Sequence, residues 1–181
     1  MADLEQRPPR LILVLGGVRS GKSRHAERLV LESGLAPVYV ATAEALDQEM
    51  AARIAEHRAR RGATWRTVEE PLDLAGALRR ECAPGRAVLV DCLTLWLTNL
   101  MVAGRPVRAE MERLTELLPT LPGMLVLVSN EVGLGVVPTD AMARAFTDHA
   151  GWLHQRIARQ ADLVVFMAAG LPLHLKSPTE L

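Results

Sequence analysis

The chain has no net charge, no long apolar run, only two cysteines and only two lysines. Lys+Arg and Asp+Glu each total 21 in 181 residues. That balance leaves no overall field to attract nucleic acid or an anionic membrane surface, so neither is expected as a partner and any anion site has to be local. The first apolar run, LILVL at 11–15, is too short for a signal-peptide core, and no later run approaches the ~20 residues that cross a bilayer. A cytoplasmic protein with no membrane span is expected. Cys82 and Cys92 form neither a CxxC pair nor a metal-ligand spacing, and two cysteines do not make a disulfide framework. Both read as small buried hydrophobes. The guanine-reading N-K-x-D motif is also missing.

What is present is enough for one core: 49% of the residues are hydrophobic, and the length is short of what two domains would need. Residues 1–181 therefore read as a single globular domain, with 1–10 and 171–181 as loosely ordered tails. Short β-branched runs recur at LILVL (11–15), PVYVAT (37–42), AVLVDC (87–92), MLVLVSN (124–130) and DLVVFMA (162–168), with TWRTVE (64–69) as a weaker candidate for a sheet edge. Helical stripes lie between them, such as Val107, Met111, Leu114 and Leu118, or Met142, Phe146, His149, Leu153 and Ile157. Strands apolar on both faces and joined by crossover helices imply an α/β fold. Its mostly parallel sheet would be covered by helices on both faces, with ligands at the carboxyl ends of the strands.

Lysine's scarcity makes its placement informative. Of the 21 basic residues 19 are arginine, yet Lys22 stands between Gly21 and Ser23. A compact ammonium on a flexible stem suits a phosphate chain better than arginine's planar fork does. Gly16, Gly17, Val18, Arg19, Ser20, Gly21, Lys22 and Ser23 match G-x-x-x-x-G-K-[ST], directly after the LILVL strand and before a helical stretch, so 1–181 is expected to be a single nucleotide-binding domain with a P-loop NTPase-like α/β fold. Backbone N–H groups of such a loop curl around the β-phosphate, Lys22 reaches β and γ oxygens, and Ser23 is placed to ligate Mg²⁺. Asp91, closing the VLVD run, is the candidate for the second metal ligand, directly or through water. A helix N-cap or turn role is its alternative.

A second cluster surrounds His57. Arg53, Arg58, Arg60, Arg61 and Arg66 crowd this histidine, and on a helix from about Ala45 the residues Met50, Ile54, His57 and Arg61 share one face. Neighbouring cations disfavour imidazolium, leaving a neutral nitrogen able to attack an α-phosphorus while the arginines neutralise a triphosphate. The same pattern also fits an amphipathic helix with a solvated basic face. Of the other histidines, His25 reads as a structural neighbour of the phosphate loop and His149 as a core residue, while no partner is evident for His154 or His174.

These blocks together resemble the bifunctional adenosylcobinamide kinase / adenosylcobinamide-phosphate guanylyltransferase family. GGVRSGKSRHAE (16–27), YVATAEALDQEMAARIAEHRARRGATWRTVEEP (39–71), DCLTLWLTNL (91–100) and SNEVGLGVVP (129–138), followed by Arg144, Phe146, Asp148 and Gly151, are similar to that family's motifs in the same order. The resemblance implies that His57 becomes covalently attached to GMP. It implies nucleotide contacts from Gly16–Ser23, from Ala41, Thr42 and Ala43, from Arg58, Ala59, Arg60 and Arg61, and from Glu69 and Asp91. It further implies Mg²⁺, ATP or GTP as phosphate donor, GTP as GMP donor, a corrinoid acceptor and a homotrimer. Two positions depart from the family pattern: Glu56 precedes His57 where some members have a second histidine, and His154-Gln155 stands where some have Asn-Gln. A single-activity small-molecule kinase, with the arginines as a lid, and a nucleotide-gated interaction protein are the competing readings.

Overall fold

The computed structural model describes residues 8–44, 48 and 62–177. Seven strands form one sheet: β1 (Leu11–Gly16), β2 (Ala36–Ala41), β3 (Arg66–Glu69), β4 (Arg86–Asp91), β5 (Met124–Asn130), β6 (Leu163–Ala168) and β7 (Leu171–Lys176). Their spatial order is β3-β2-β4-β5-β1-β6-β7. All neighbours are parallel except β6 and β7. The helices are α1 (Lys22–Glu32), α2 (Leu74–Glu81), α3 (Leu93–Val102), α4 (Val107–Leu117) and α5 (Ala141–Gln160). The expected mostly parallel α/β architecture is therefore present.

Alternation along β1 shows how the core is divided. Leu11, Leu13 and Leu15 join a cluster with Leu78, Leu97, Leu114 and Leu153 from α2 to α5, whereas Ile12 and Val14 pack with Ala26 and Val30 of α1. Because helices lie on both faces, every residue of β1 is buried and the strand reads as a continuous apolar run. On the larger face Trp96 is almost fully buried, and its indole N–H donates to the carbonyl of Leu72 (2.9 Å). At the sheet edge, the guanidinium of Arg66 makes two 3.0 Å hydrogen bonds to the buried carboxylate of Glu81, tying β3 to α2.

Three expectations differ from the observed elements. The segment from Leu171 is not a tail: after a turn at Ala169 (φ 50°) and Gly170 (φ 80°) it folds back as β7, antiparallel to β6. Two successive positive φ values match the twist of a tight hairpin. In α5 Leu153 and Ile157 of the expected stripe are buried and Phe146 packs against the core, but Met142 is 52% exposed, His149 is only half-buried, and Ala150 and His154 are buried instead. The weak edge run shortens to Arg66–Glu69, with a 3-10 turn over Gly62–Thr64 before it.

Candidate active site

The carboxyl ends of β1, β2, β4 and β5 lie side by side, with Gly16 opposite Asn130, Ala41 opposite both Glu69 and Asp91, and Asp91 opposite Val128. From this edge the phosphate loop rises out of β1. A Cβ on Gly16 would come within 2.5 Å of Ser20 Oγ and 2.7 Å of the Met167 carbonyl oxygen, so the first turn of the loop closes only around glycine. Gly21, at φ 92°, is the N-cap of α1 and faces the Cα of Gly170. Gly170 N–H in turn donates to the Ser20 carbonyl (3.0 Å), which braces the loop against the β6–β7 turn. Val18 and Arg19 are exposed at the crest, Arg19 in the left-handed region at φ 56°.

No side chain caps the N-terminus of α1, and its first turn contains no acid. Its leading N–H groups and partial positive charge are thus open to an anion. Ser20 Oγ is buried without a protein partner. Lys22, 8% exposed, folds its ammonium back over the loop to donate to the Gly17 carbonyl (3.0 Å). Burial lowers its pKa, and the negative charge of Asp91 acts in the opposite direction, as does Cys92 to a smaller extent. Removed from water but still beside a carboxylate, Lys22 is poised to exchange a backbone carbonyl for phosphate oxygens.

A network of polar groups fixes the acidic side of the site. Tyr39 O–H donates to Asp91 Oδ2 (3.1 Å). The hydroxyl of Thr42 accepts from Cys92 N–H (2.9 Å) and donates to the Cys92 carbonyl (2.7 Å), clamping the chain after β2 to the chain after β4. The side-chain amide of Asn99, on α3, donates to the carbonyls of Thr42 (2.7 Å) and Pro71 (3.1 Å). Asn130, ending β5, donates to Thr94 Oγ1 (2.8 Å). Sequence reasoning missed Asn99, Thr94 and Asn130. The available signal was Asn99 itself, since a lone amide within LTLWLTNL is buried only if it finds partners.

The structure brings Gly16–Ser23, Ala41, Thr42, Ala43, Glu69 and Asp91 to one edge of the sheet. Thr42 is buried, Ala41 and Ala43 half-buried, and Glu69 exposed at the far end on β3. His57, Arg58, Ala59, Arg60 and Arg61 lie outside the described residues. His25 is buried within the first turns of α1; its Nδ1 pairs with Arg28 (3.1 Å) and its Nε2 has no partner. His154, for which the sequence offered no partner, is buried and its Nε2 meets Ser129 Oγ at 2.7 Å. Burial lowers its pKa, opposed by Glu131, so the ring is held neutral in the ordinary physiological range.

A mostly parallel sheet with an uncapped, glycine-built loop between an inner strand, β1, and a helix defines a P-loop nucleotide-binding protein. Solved structures agree on that fold: the flagellar accessory protein FlaH of Methanocaldococcus jannaschii aligns over 97% of this chain and 86% of its own (TM-score 0.51, 12% identity), and the RadB recombinase over 87% and 73% (TM-score 0.50, 17% identity). At these identities the likeness concerns fold alone. More specifically, residues 12–175 match the model of the cobinamide kinase / cobinamide phosphate guanyltransferase family, and the chain belongs to that family. It is similar to the bifunctional adenosylcobalamin biosynthesis proteins CobP of Pseudomonas aeruginosa (61% identity, covering 91% of this chain and 96% of the relative) and CobU of Salmonella typhimurium (41%, covering 92% and 99%). The protein is thus a bifunctional transferase of cobalamin biosynthesis, joining kinase and guanyltransferase activities.

Proposed function

We propose that one phosphate-loop site serves both reactions, with His57 as the covalent carrier of GMP. The observation that supports this most is the uncapped loop at α1 with Lys22 held beside Asp91, the one triphosphate cradle among the described residues of a chain whose family carries two activities. In the kinase step, Gly16–Ser23 hold the donor phosphates of ATP or GTP. The hydroxyl of adenosylcobinamide then attacks the γ-phosphorus; an O–P bond forms, the bond from that phosphorus to the bridging oxygen breaks, and the nucleoside diphosphate leaves. Lys22 stabilises the charge that shifts onto the leaving oxygen.

In the guanylyl step a neutral His57 nitrogen attacks the α-phosphorus of GTP, forming a P–N bond as pyrophosphate departs. A phosphate oxygen of adenosylcobinamide phosphate then displaces the histidine, giving adenosylcobinamide-GDP and the free imidazole. Arg58, Arg60 and Arg61, with Ala59 between them, follow His57 directly and offset the charge of the triphosphate. Ala41, Thr42, Ala43 and Glu69 border the nucleotide at the ends of β2 and β3.

Ser23, beside Lys22 at the start of α1, and Asp91, at the end of β4, supply an all-oxygen pair, a hydroxyl and a carboxylate, and this donor set suits Mg²⁺. They would hold the ion, which neutralises phosphate charge when bound. Asp91→Asn keeps the shape and the Tyr39 hydrogen bond but removes the charge. It is expected to reduce both Mg²⁺-dependent activities by roughly 10²-fold, measured as turnover against Mg²⁺ concentration. Full activity at unchanged Mg²⁺ dependence would contradict the metal assignment.

No described helix is long and apolar enough to cross a membrane, and a cytoplasmic location fits the nucleotide substrates. A homotrimer is part of the same reading. Leu171, Leu173 and Leu175 of β7 are 54–71% exposed, and Leu175 borders an apolar groove of about 540 Å³ that also includes Ala158, Val164 and His154. A second copy would cover such a surface.

A further inference from the structure

The proton that leaves the acceptor hydroxyl in the kinase step needs a destination, and the phosphate loop contains no base. We propose that the carboxylate of Glu131 takes it, making Glu131 a catalytic residue of the kinase reaction alone. The first ground is position. Glu131 follows the Gly16–Asn130 pair, and its backbone N–H donates to the Gly16 carbonyl (3.0 Å), so it is fixed to the opening residue of the phosphate loop. No other acid of the carboxyl edge has this attachment among the described residues.

The second ground is what the other acids are doing. Asp91 takes the Tyr39 hydroxyl and faces Lys22. Glu70 is engaged at the start of α2, where its Oε1 accepts from Leu72 N–H (3.2 Å) and Asp73 N–H (2.8 Å). Glu69 closes β3, which is separated from β1 by β2, β4 and β5. β5, by contrast, is the immediate neighbour of β1, and on the other side β6 ends in Ala168, Ala169 and Gly170, with no acid.

The third ground is orientation. Glu131 is half-buried, and its Oε1 accepts the Gly133 N–H, which fixes the carboxylate at the start of its loop with Oε2 as the oxygen to receive a proton. The loop it begins is held at its far end by Arg144, which donates to the carbonyls of Pro138 (3.0 Å) and Thr139. Between these anchors Leu134, Val136 and Val137 are 74–96% exposed. An apolar, solvent-facing loop next to the proton acceptor suits a large amphiphilic alcohol. In the step itself the alcohol O–H bond breaks, the oxygen bonds to the γ-phosphorus, and the proton moves to Glu131 Oε2 before release to solvent.

Only the kinase step removes a proton from a hydroxyl, because the nucleophiles of the guanylyl reaction are a neutral imidazole nitrogen and then an anionic phosphate oxygen. Glu131→Gln should therefore lower the kinase kcat by about 10²- to 10³-fold, with the KM for ATP little changed, while GMP transfer from GTP to preformed adenosylcobinamide phosphate falls less than about threefold. Glu131→Asp, which keeps the carboxylate, should lose about tenfold in the kinase assay alone. Both activities are to be read on one preparation of the whole chain. An equal fall of both activities in both variants, or a kinase kcat within threefold of wild type for Glu131→Gln, overturns the proposal. The inference rests on the kinase reading and not on His57: if no GMP adduct forms but the kinase-specific loss is seen, the covalent reading fails and this one stands.

Discussion

Replacing His57 by alanine should abolish transfer of GMP to adenosylcobinamide phosphate, to the assay's limit, while ATP-dependent phosphorylation of adenosylcobinamide persists within about threefold of wild type. The asymmetry follows from the two chemistries. A covalent intermediate has no substitute when its nucleophile is deleted, because the residue before it is Glu56 and no second histidine lies in the same segment. The kinase reaction asks only for placed phosphates, neutralised charge and a proton acceptor, none of which is assigned to His57. Parallel assays with the two acceptors, alcohol and phosphate, check this. Loss of both activities would make His57 part of the common nucleotide site. Retention of guanylyl transfer would remove it from the mechanism.

Lys22→Ala should instead damage both activities together, each by roughly 10³-fold, equivalent to about 4 kcal/mol of transition-state stabilisation. Lys22 is the first residue of α1 and 8% exposed, yet among the described residues its ammonium donates only to the Gly17 carbonyl, an acceptor that water can satisfy in the variant. Burial already works against its charge, so the fold gains little from keeping it and the melting temperature should move by only a few degrees. An ammonium retained at such a disadvantage is explained by phosphate oxygens arriving beside it. Steady-state rates for both reactions, together with a thermal melt, distinguish this from simple unfolding, which would lower the melt along with the rates.

Parts of this arrangement were legible in the sequence because they are local. The phosphate loop needs a strand, two glycines and a helix start within a dozen residues, and the structure has β1, Gly16, Gly21 and α1 in that order. β1, β2, β4, β5 and β6 are apolar runs with few competing readings, buried on both faces for most of their length. β7 was not legible: LPLHLK has a proline and three exposed leucines, and its strand character comes from pairing with β6 through an Ala-Gly turn that carries no Asn or Asp signal. On α5 Leu153 and Ile157 are buried as expected, but the burial of His154 beside them was not legible, because its ring is polar in composition and is matched to Ser129 of β5 only by tertiary contact. Likewise, the amides of Asn99 and Asn130 have roles only after α3 and β5 are brought against the ends of β2 and β4. Strand order, which puts Glu131 beside Gly16 and leaves three strands between Gly16 and Glu69, is also a property of the assembled sheet.

The central claim, one phosphate site charging one histidine with GMP, is tested most directly by the intact mass of the wild-type protein after incubation with GTP and Mg²⁺, before and after mild acid. The predicted result is a gain of a single GMP that acid removes, as a phosphoramidate requires, and no gain in the His57→Ala variant. A wild-type mass that stays unchanged while the enzyme still transfers GMP would contradict it and place the guanylyl transfer directly between the two substrates.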